Sequence, residues 1–176
     1  ENRGFQFIGP DKGLSACGEF GYSRLSEPSN IIDFIKNKAN KKKVLDFKNK
    51  KVLVTAGPTI EAIDEVRYIS NHSSGKQGYL IAEEFAKHGA EVILVSGPVG
   101  LKPPNKVNFY NVNTADEMLE ISLKCLPVDI AVFVAAVADW KVEKQYPGKI
   151  KKKNNSMTLN FEKNPDILQY ISNHKM

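Results

Sequence analysis

Cysteine is scarce in this sequence: the 176 residues contain only Cys17 and Cys125, which lie in different segments. Two distant thiols indicate neither a disulfide framework nor a metal cluster, and they favour a reducing compartment. The sequence also lacks any run approaching the ~18–20 apolar residues that a membrane-spanning helix needs. We therefore expect a cytoplasmic protein with no membrane partner.

The chain carries a formal net charge of +5, which could indicate a nucleic-acid-binding protein. Its lysines cluster at residues 36–51 and 149–153, and no aromatic side chains are interleaved with them in a recognition pattern. We therefore expect anionic small molecules, and not nucleic acid, as partners.

Short apolar runs rich in β-branched residues occur at 51–56, 91–98 and 129–140, and an amphipathic helical pattern follows the first at 79–89. Buried strands that alternate with helices at this spacing predict βαβ units and a parallel sheet. The sequence has no internal repeats. The predicted fold class is α/β, with a mainly parallel sheet preceded by a loop-rich tail.

A polar loop rich in hydroxyl groups and glycine, residues 67–78, opens the first of these helices. Free N–H groups and the helix dipole favour phosphate there, while Ser73 and Ser74 can cap the helix and Gly75 and Gly78 let an anion approach the backbone. The loop has neither the G-x-G-x-x-G nor the Walker pattern. Phosphate binding and a simple helix cap are about equally supported by these residues.

The third apolar run ends in small residues followed by an acid. Ala135 and Ala136 leave room for a ligand beyond the carboxyl end of a strand, and Asp139 can hold a hydroxyl, an amine or a metal ion there. Alternatively, Asp139 only caps a turn.

Four of the five residues at 149–153 are lysine. If the segment is extended, alternation sends Lys149, Lys151 and Lys153 to one side, where they could meet a polyphosphate; a solvated charge run is the alternative. Residues 157–161 alternate as a strand, and a following turn predicts a helix with Asn164 as N-cap and Pro165 in its first turn.

Five motifs in order resemble those of phosphopantothenate–cysteine ligase, an enzyme of coenzyme A biosynthesis. They are Gly-Pro-Thr at 57–59, Val-Arg-Tyr-Ile-Ser-Asn-His-Ser-Ser-Gly-Lys-Gln-Gly at 66–78, Ala-Ala-Val-Ala-Asp-Trp at 135–140, Lys-Ile-Lys-Lys at 149–152 and Lys-Asn-Pro-Asp-Ile at 163–167. Each motif alone is ambiguous, but five in order are specific. The resemblance implies a Rossmann-like three-layer ligase domain.

Residues 9–28, with an Ala-Cys-Gly core at 16–18, resemble the tail of phosphopantothenoylcysteine decarboxylase, a flavoprotein fused to the ligase in many bacteria. We expect an internal fragment of such a bifunctional protein. Its parts would be a decarboxylase tail at 1–36, a basic linker at 37–50 and a C-terminally truncated ligase domain at 51–176.

The resemblance implies a ligase that works through an acyl-cytidylate. The carboxylate of 4′-phosphopantothenate attacks the α-phosphate of CTP and releases pyrophosphate; the amine of L-cysteine then attacks the acyl carbon and expels CMP. Mg²⁺ would be held through the nucleotide phosphates, and FMN would serve the decarboxylase half, whose binding domain is not in this sequence. The ligase domain is expected to form a homodimer, within a higher oligomer in the full-length protein.

The resemblance also implies residue roles. Asn71 and Lys149 would be catalytic in ligation, Cys17 would be the proton donor of the decarboxylase, and Arg67 would reach the phosphate of a neighbouring subunit's substrate. The remaining substrate- and nucleotide-binding positions are Ser73, Ser74, Gly75, Phe133, Val134, Ala135, Ala136, Asp139, Pro165, Asp166, Ile167 and Leu168.

Two other functions stay open. A nicotinamide-dependent reductase would share the strand–loop–helix start, but it predicts the glycine fingerprint that is absent here. The other is a catalytically incomplete module that only binds nucleotide or takes part in assembly. It stays open because the family's later phenylalanine and lysine pair are not in this sequence.

Overall fold

The computed structural model describes residues 7–14, 18, 20–39, 46–151 and 156–174. The chain divides into two compact units, Glu1–Asp46 and Phe47–Met176. Each unit is described by itself below.

The first unit contains an antiparallel hairpin of β1 (Asp11–Leu14) and β2 (Phe20–Arg24), followed by helix α1 (Pro28–Ala39). The predicted loop-rich tail therefore has regular structure in its described part. Helix α1 extends to Ala39 and so includes the first residues of the linker predicted at 37–50.

The described residues of the second unit form eleven further elements. In chain order they are β3 (Lys51–Ala56), β4 (Ile60–Ala62), β5 (Tyr68–Ser70), α2 (Lys76–Lys87), β6 (Glu91–Ser96), β7 (Val107–Asn111), α3 (Ala115–Lys124), β8 (Ile130–Phe133), β9 (Trp140–Val142), β10 (Phe161–Lys163) and, as a short final helix, α4 (Ile167–Ser172).

Strands β7, β6, β3 and β8 form, in that spatial order, a four-stranded parallel sheet. β3, the first of these four strands in sequence, lies inside the sheet. The chain proceeds from β3 to β6 and β7 on one side and then crosses to β8 on the other side of β3. This is the strand order of a doubly wound fold, whose ligand crevice lies where the strand order reverses. The predicted α/β fold with a parallel sheet is confirmed.

Alternating side chains of the central strands build cores on both sheet faces. On one face, Leu53 joins a buried cluster with Met118 of α3 and Ile171 of α4. On the other face lies α2, whose Phe85 makes an edge contact with Phe47 at a ring-centroid distance of 5.1 Å. Because Phe47 is buried, the chain joins the second unit before the end of the predicted linker.

Two antiparallel pairs, β4 with β5 and β9 with β10, extend the molecule beyond the carboxyl edge of the parallel sheet. The apolar run at 129–140 is therefore not one strand, because it ends as β8 at Phe133 and resumes as β9 at Trp140. The strand predicted at 157–161 is displaced: β10 begins only at Phe161.

The start of α4 corrects another prediction. Asp166, and not Asn164, is the N-cap, and its carboxylate accepts a hydrogen bond from the Gln169 N–H over 2.9 Å. Pro165 therefore precedes the helix. Within the described parts of the chain, none of the helices combines the length and the apolar character needed to cross a membrane.

Candidate active site

The crevice between the carboxyl ends of β3 and β8 is bounded by the small-residue segment at 134–138. The hydroxyl oxygen of Thr55, a buried residue near the end of β3, lies within hydrogen-bond distance of the N–H groups of Val134 (3.3 Å) and Ala135 (3.4 Å). The Ala136 N–H donates to the Gly57 carbonyl over 2.8 Å. These bonds fix the backbone of the segment against the central strand.

Thr59 continues this anchoring from the loop after β3. Its hydroxyl oxygen accepts a bond of 2.9 Å from the Ala138 N–H, and its own N–H donates to the Ala136 carbonyl over 3.3 Å. Thr59 is completely buried. The wall of the crevice is therefore a preorganised backbone surface with small side chains, as the sequence suggested for Ala135 and Ala136.

Asn71 joins the polar loop to the same wall. Its side-chain amide nitrogen donates to the carbonyl oxygens of Ala136, over 3.2 Å, and Val137, over 3.0 Å. The amide nitrogen is thereby bonded within the protein, and in the part of the chain that the structure describes no donor bonds its Oδ1. The arrangement leaves Asn71 as an acceptor toward a ligand amine or hydroxyl.

A cavity of about 570 Å³ opens on this wall, within the range typical of small-molecule sites. Seven predicted site residues line it, from two separate segments: Phe133, Ala135, Asp139, Pro165, Asp166, Ile167 and Leu168. The remaining lining residues are Thr55, Val137, Ala138, Trp140, Lys163 and Asn164.

Asn164 ties the two walls of this cavity together. Its amide nitrogen donates to the Ala138 carbonyl over 2.7 Å, and its backbone N–H donates to the Asp139 carbonyl over 2.9 Å. Its Oδ1 is buried and bonds no group among the described residues. The sequence predicted only a helix-capping role for Asn164 and did not predict Thr55 as a site residue. The signal available for Thr55 was a lone hydroxyl in an otherwise apolar strand.

The start of α2 packs directly on the end of β3. Gly75 has φ +70°, and a Cβ there would lie 2.9 Å from a Val99 methyl and 3.3 Å from the Gly57 Cα. A Cβ on Gly78 would lie only 2.5 Å from the Cβ of Ala56. The space beside Gly78 is thus taken by the strand, so this glycine serves helix packing, a use that differs from the anion approach the sequence suggested.

Ser73 and Ser74 meet the N–H groups at the start of α2. The Ser73 hydroxyl oxygen lies 3.3 Å from the Gly75 N and that of Ser74 lies 3.4 Å from the Lys76 N. The helix has no side-chain cap at its N-cap residue, Gly75. Bonds this long are weak, so a ligand oxygen can compete for these donors.

Arg67 pairs with a buried carboxylate. Its Nε donates to Asp64 Oδ2 over 3.1 Å, and its Nη2 donates to the same oxygen and to the Ile150 carbonyl. The Arg67 guanidinium and the Ile150 N–H hold the pKa of the Asp64 carboxyl well below its usual range. Arg67 therefore has an internal partner in addition to the phosphate predicted for it.

The lysine run lies on the connection between β9 and β10, as expected for a hairpin approach. Lys149 is exposed and makes no hydrogen bond or ion pair with the described residues. Cys17, Lys152 and Lys153 lie outside the described residues, so the roles given to Cys17 and to the end of the run stay predictions.

A magnesium site built by the protein alone is not evident. Within the described residues there is no group of three or more His, Cys, Asp or Glu side chains that could hold a metal ion. Asp139 is a single carboxylate on the cavity wall, which suits an ion whose other ligands are phosphate oxygens.

A parallel sheet with the central strand first in sequence, and a cavity at its point of reversal, defines a Rossmann-like α/β domain with a ligand site at the carboxyl edge. Residues 47–176 match the model of the DNA/pantothenate metabolism flavoprotein C-terminal domain. The chain belongs to that family, which confirms the resemblance drawn from its motifs.

Curated relatives extend this match to the first unit. The chain is 46% identical over 176 residues to the "Coenzyme A biosynthesis bifunctional protein CoaBC" of Haemophilus influenzae, covering 99% of this chain and 44% of that protein. It is 43% identical to the protein of the same name from Escherichia coli, covering 97% of this chain and 43% of the relative. The chain thus spans less than half the length of these relatives.

A solved structure supports the fold directly. The crystal structure of the C-terminal domain of a CoaBC protein superposes with a TM-score of 0.65 at 41% identity, covering 74% of this chain and 62% of that one.

Proposed function

We propose that this chain carries the ligase part of a coenzyme A biosynthesis protein and joins 4′-phosphopantothenate to L-cysteine. One observation carries the proposal. Residues predicted for the nucleotide and substrate from two motifs about 30 positions apart, at 133–139 and 165–168, line a single cavity at the carboxyl edge of the sheet. The names of the curated relatives support the pathway.

The geometry suits acyl transfer through a nucleotidylate. The backbone wall at 134–138, held by Thr55 and Thr59, would orient the nucleoside and the pantothenoyl arm. Asn71, with its oxygen directed away from its own backbone partners, would accept from the amide or amine of the substrates. The weakly bonded N–H groups of Gly75 and Lys76 would bind phosphate oxygens.

Charge neutralisation is the main physical requirement, because a carboxylate oxygen of one polyanion must approach the α-phosphorus of another while pyrophosphate leaves. Lys149 would stabilise the charge that develops on the triphosphate, and Mg²⁺ bound to phosphate oxygens would supply further neutralisation. We propose CTP as the triphosphate on the basis of the family resemblance. FMN would belong to the decarboxylase part of the full-length protein, and Cys17 would be the proton donor of the decarboxylase reaction.

We further propose that the domain works as a homodimer in the cytoplasm. Tyr68, Trp140 and Phe161 are about half exposed on the antiparallel pairs, beside the partly buried Ile69. Such an apolar surface suits a second copy of the chain, whose Arg67 would then approach the neighbouring substrate. Sedimentation of the full-length protein with Phe161→Glu should show dissociation, whereas Tyr110→Glu, at an exposed position on β7, should not change the oligomer.

The direct test is pyrophosphate release by the full-length protein. With phosphopantothenate and each of four nucleoside triphosphates in turn, CTP should give the fastest release, and cysteine should raise the steady-state rate and yield phosphopantothenoylcysteine. Release of pyrophosphate without phosphopantothenate, or no release with any triphosphate, would contradict the proposal. The second result would favour a module that only binds nucleotide.

A nicotinamide reductase is disfavoured by the course of the chain. In a dinucleotide fold the helix follows the first strand through a short glycine turn. Here the whole β4–β5 hairpin separates the end of β3 at Ala56 from the start of α2 at Lys76.

A further inference from the structure

Ile150, inside the lysine run, is held through both of its backbone groups. Its N–H donates to Asp64 Oδ2 over 3.0 Å, and its carbonyl accepts from Arg67 Nη2 over 3.0 Å. A nearby bond of 3.0 Å, from the Tyr146 N–H to the Ile63 carbonyl, fastens the same connection to the same turn. The connection between β9 and β10 is thus attached to the turn between β4 and β5.

The turn is itself organised by Asp64. Its second carboxylate oxygen, Oδ1, accepts from the N–H groups of Val66 over 2.9 Å and Arg67 over 2.8 Å. The Ile63 and Asp64 N–H groups donate to the Arg67 carbonyl. The side chain of Asp64 is fully buried, so its carboxylate oxygens are shielded from water.

The two oxygens of the Asp64 carboxylate therefore have different roles. Oδ1 closes the local turn, while Oδ2 holds Arg67 and Ile150. The lysines on either side of Ile150, Lys149 and Lys151, are both exposed and have no ion pair among the described residues. The bonds from Ile150 to Asp64 and Arg67 therefore hold the backbone between these two solvated lysines.

We propose that Asp64 is a positioning residue of the ligase, which, through Oδ2 and Arg67, fixes the backbone at Ile150 and so orients Lys149 toward the triphosphate. This inference rests on the proposed function, because it needs Lys149 to act on a polyphosphate. Asp64 itself touches no substrate. It also links the lysine run to the hairpin that leads into Asn71, so both catalytic positions depend on one buried acid.

The test uses Asp64→Asn in the full-length protein. The amide keeps one oxygen for the N–H groups of Val66 and Arg67, so the turn persists, but it replaces Oδ2 with a donor. Hydrogen exchange of the peptide covering residues 144–151 should become faster, while exchange in β3 and β6 stays as in the unmodified protein. The kcat/KM for CTP should fall by about 10- to 100-fold, the scale of a displaced catalytic group.

Glu65→Gln is the matched control, because Glu65 is exposed on the same turn and the substitution removes the same charge. It should change neither the exchange of 144–151 nor kcat/KM. Arg67→Lys provides a second variant should Asp64→Asn fail to fold: it keeps the charge but loses the forked contact to Asp64 and Ile150. It should reproduce the faster exchange.

The outcomes separate the two proposals. Faster exchange at 144–151 with unchanged kcat/KM would overturn the positioning role, and so would unchanged exchange in both variants. Absence of pyrophosphate release from the unmodified protein would instead overturn the proposed function, and with it the catalytic part of this inference, while the exchange data would still decide whether Asp64 holds the backbone at Ile150.

Discussion

Asn71 and Val137 lie far apart in sequence, yet the Asn71 amide nitrogen donates to the Val137 carbonyl over 3.0 Å. A second bond from the same nitrogen reaches the adjacent Ala136 carbonyl. The loop that opens α2 is thereby fixed to the segment that follows β8. These two bonds hold the polar loop and the wall of the crevice in a fixed relative position.

Asn71→Asp is expected to impair ligation without unfolding the domain. A carboxylate would face two carbonyl oxygens and would add negative charge beside a carboxylate substrate, so kcat/KM for phosphopantothenate should fall by about 100-fold or more. Steady-state kinetics of the full-length variant check this. His72→Gln, at an exposed neighbouring position, is the control and should keep normal kinetics. Normal product formation by Asn71→Asp would remove Asn71 from the site.

Lys149→Gln should cost several kcal/mol of transition-state stabilisation, on the order of a charged partner lost from a desolvated site. Lys144→Gln, on the same connection and also exposed, should cost less than about 1 kcal/mol, as for a solvated charge. The comparison is of kcat/KM for CTP in both variants. Equal and small losses would mean that the lysine run is only a solubilising surface.

Gly78→Ala should destabilise the domain by about 1–3 kcal/mol, although alanine is the better helix former, because the new Cβ meets Ala56. Urea unfolding of the domain measures this. Gly100→Ala is the control, since a Cβ there has no neighbour within 4 Å. Adding Ala56→Gly to the Gly78 variant should recover part of the loss; no recovery would show that the contact is not the cause.

Stability in acid should depend on Asp64. Its pKa is lowered by folding, so its contribution is complete above the ordinary aspartate pKa of about 3.9 and is lost as the pH falls toward the lower folded value. The free energy of unfolding should therefore decline below about pH 5, and the difference between the unmodified protein and Asp64→Asn should shrink as it does. A difference that is constant from pH 7 to pH 3 would contradict this ion-pair account.

The sequence predicted most accurately what local patterns determine. The strand predicted at 51–56 is confirmed as β3. The amphipathic run at 79–89 correctly predicted a helix, although α2 occupies Lys76–Lys87 and so begins three residues earlier. Of the positions implied by the motif resemblance, seven line the cavity, and Asn71 bonds its wall; the roles given to all of them stay predictions. The predictions of the short antiparallel strands were less accurate. Strands of three residues such as β9 and β10 depend on pairing with each other more than on their own sequence.

Long-range polar contacts could not be predicted. Asp64 appears in sequence as one acid in a loop, and its partner Ile150 lies 86 positions away, so only the folded topology brings them together. Asn164 sits beside a proline and an aspartate, each able to start a helix, and local rules favoured it as the cap. Its actual bond, to the Ala138 carbonyl, depends on the path of another segment.

The central claim is that the carboxylate of phosphopantothenate attacks the α-phosphorus of CTP, and oxygen transfer tests it most directly. Full-length protein would be given phosphopantothenate labelled with ¹⁸O in both carboxylate oxygens, together with CTP and cysteine, and the products analysed by mass spectrometry. The account predicts one ¹⁸O in CMP, one retained in the amide carbonyl of the product and none in pyrophosphate. Label in inorganic phosphate, or CMP without label, would contradict it.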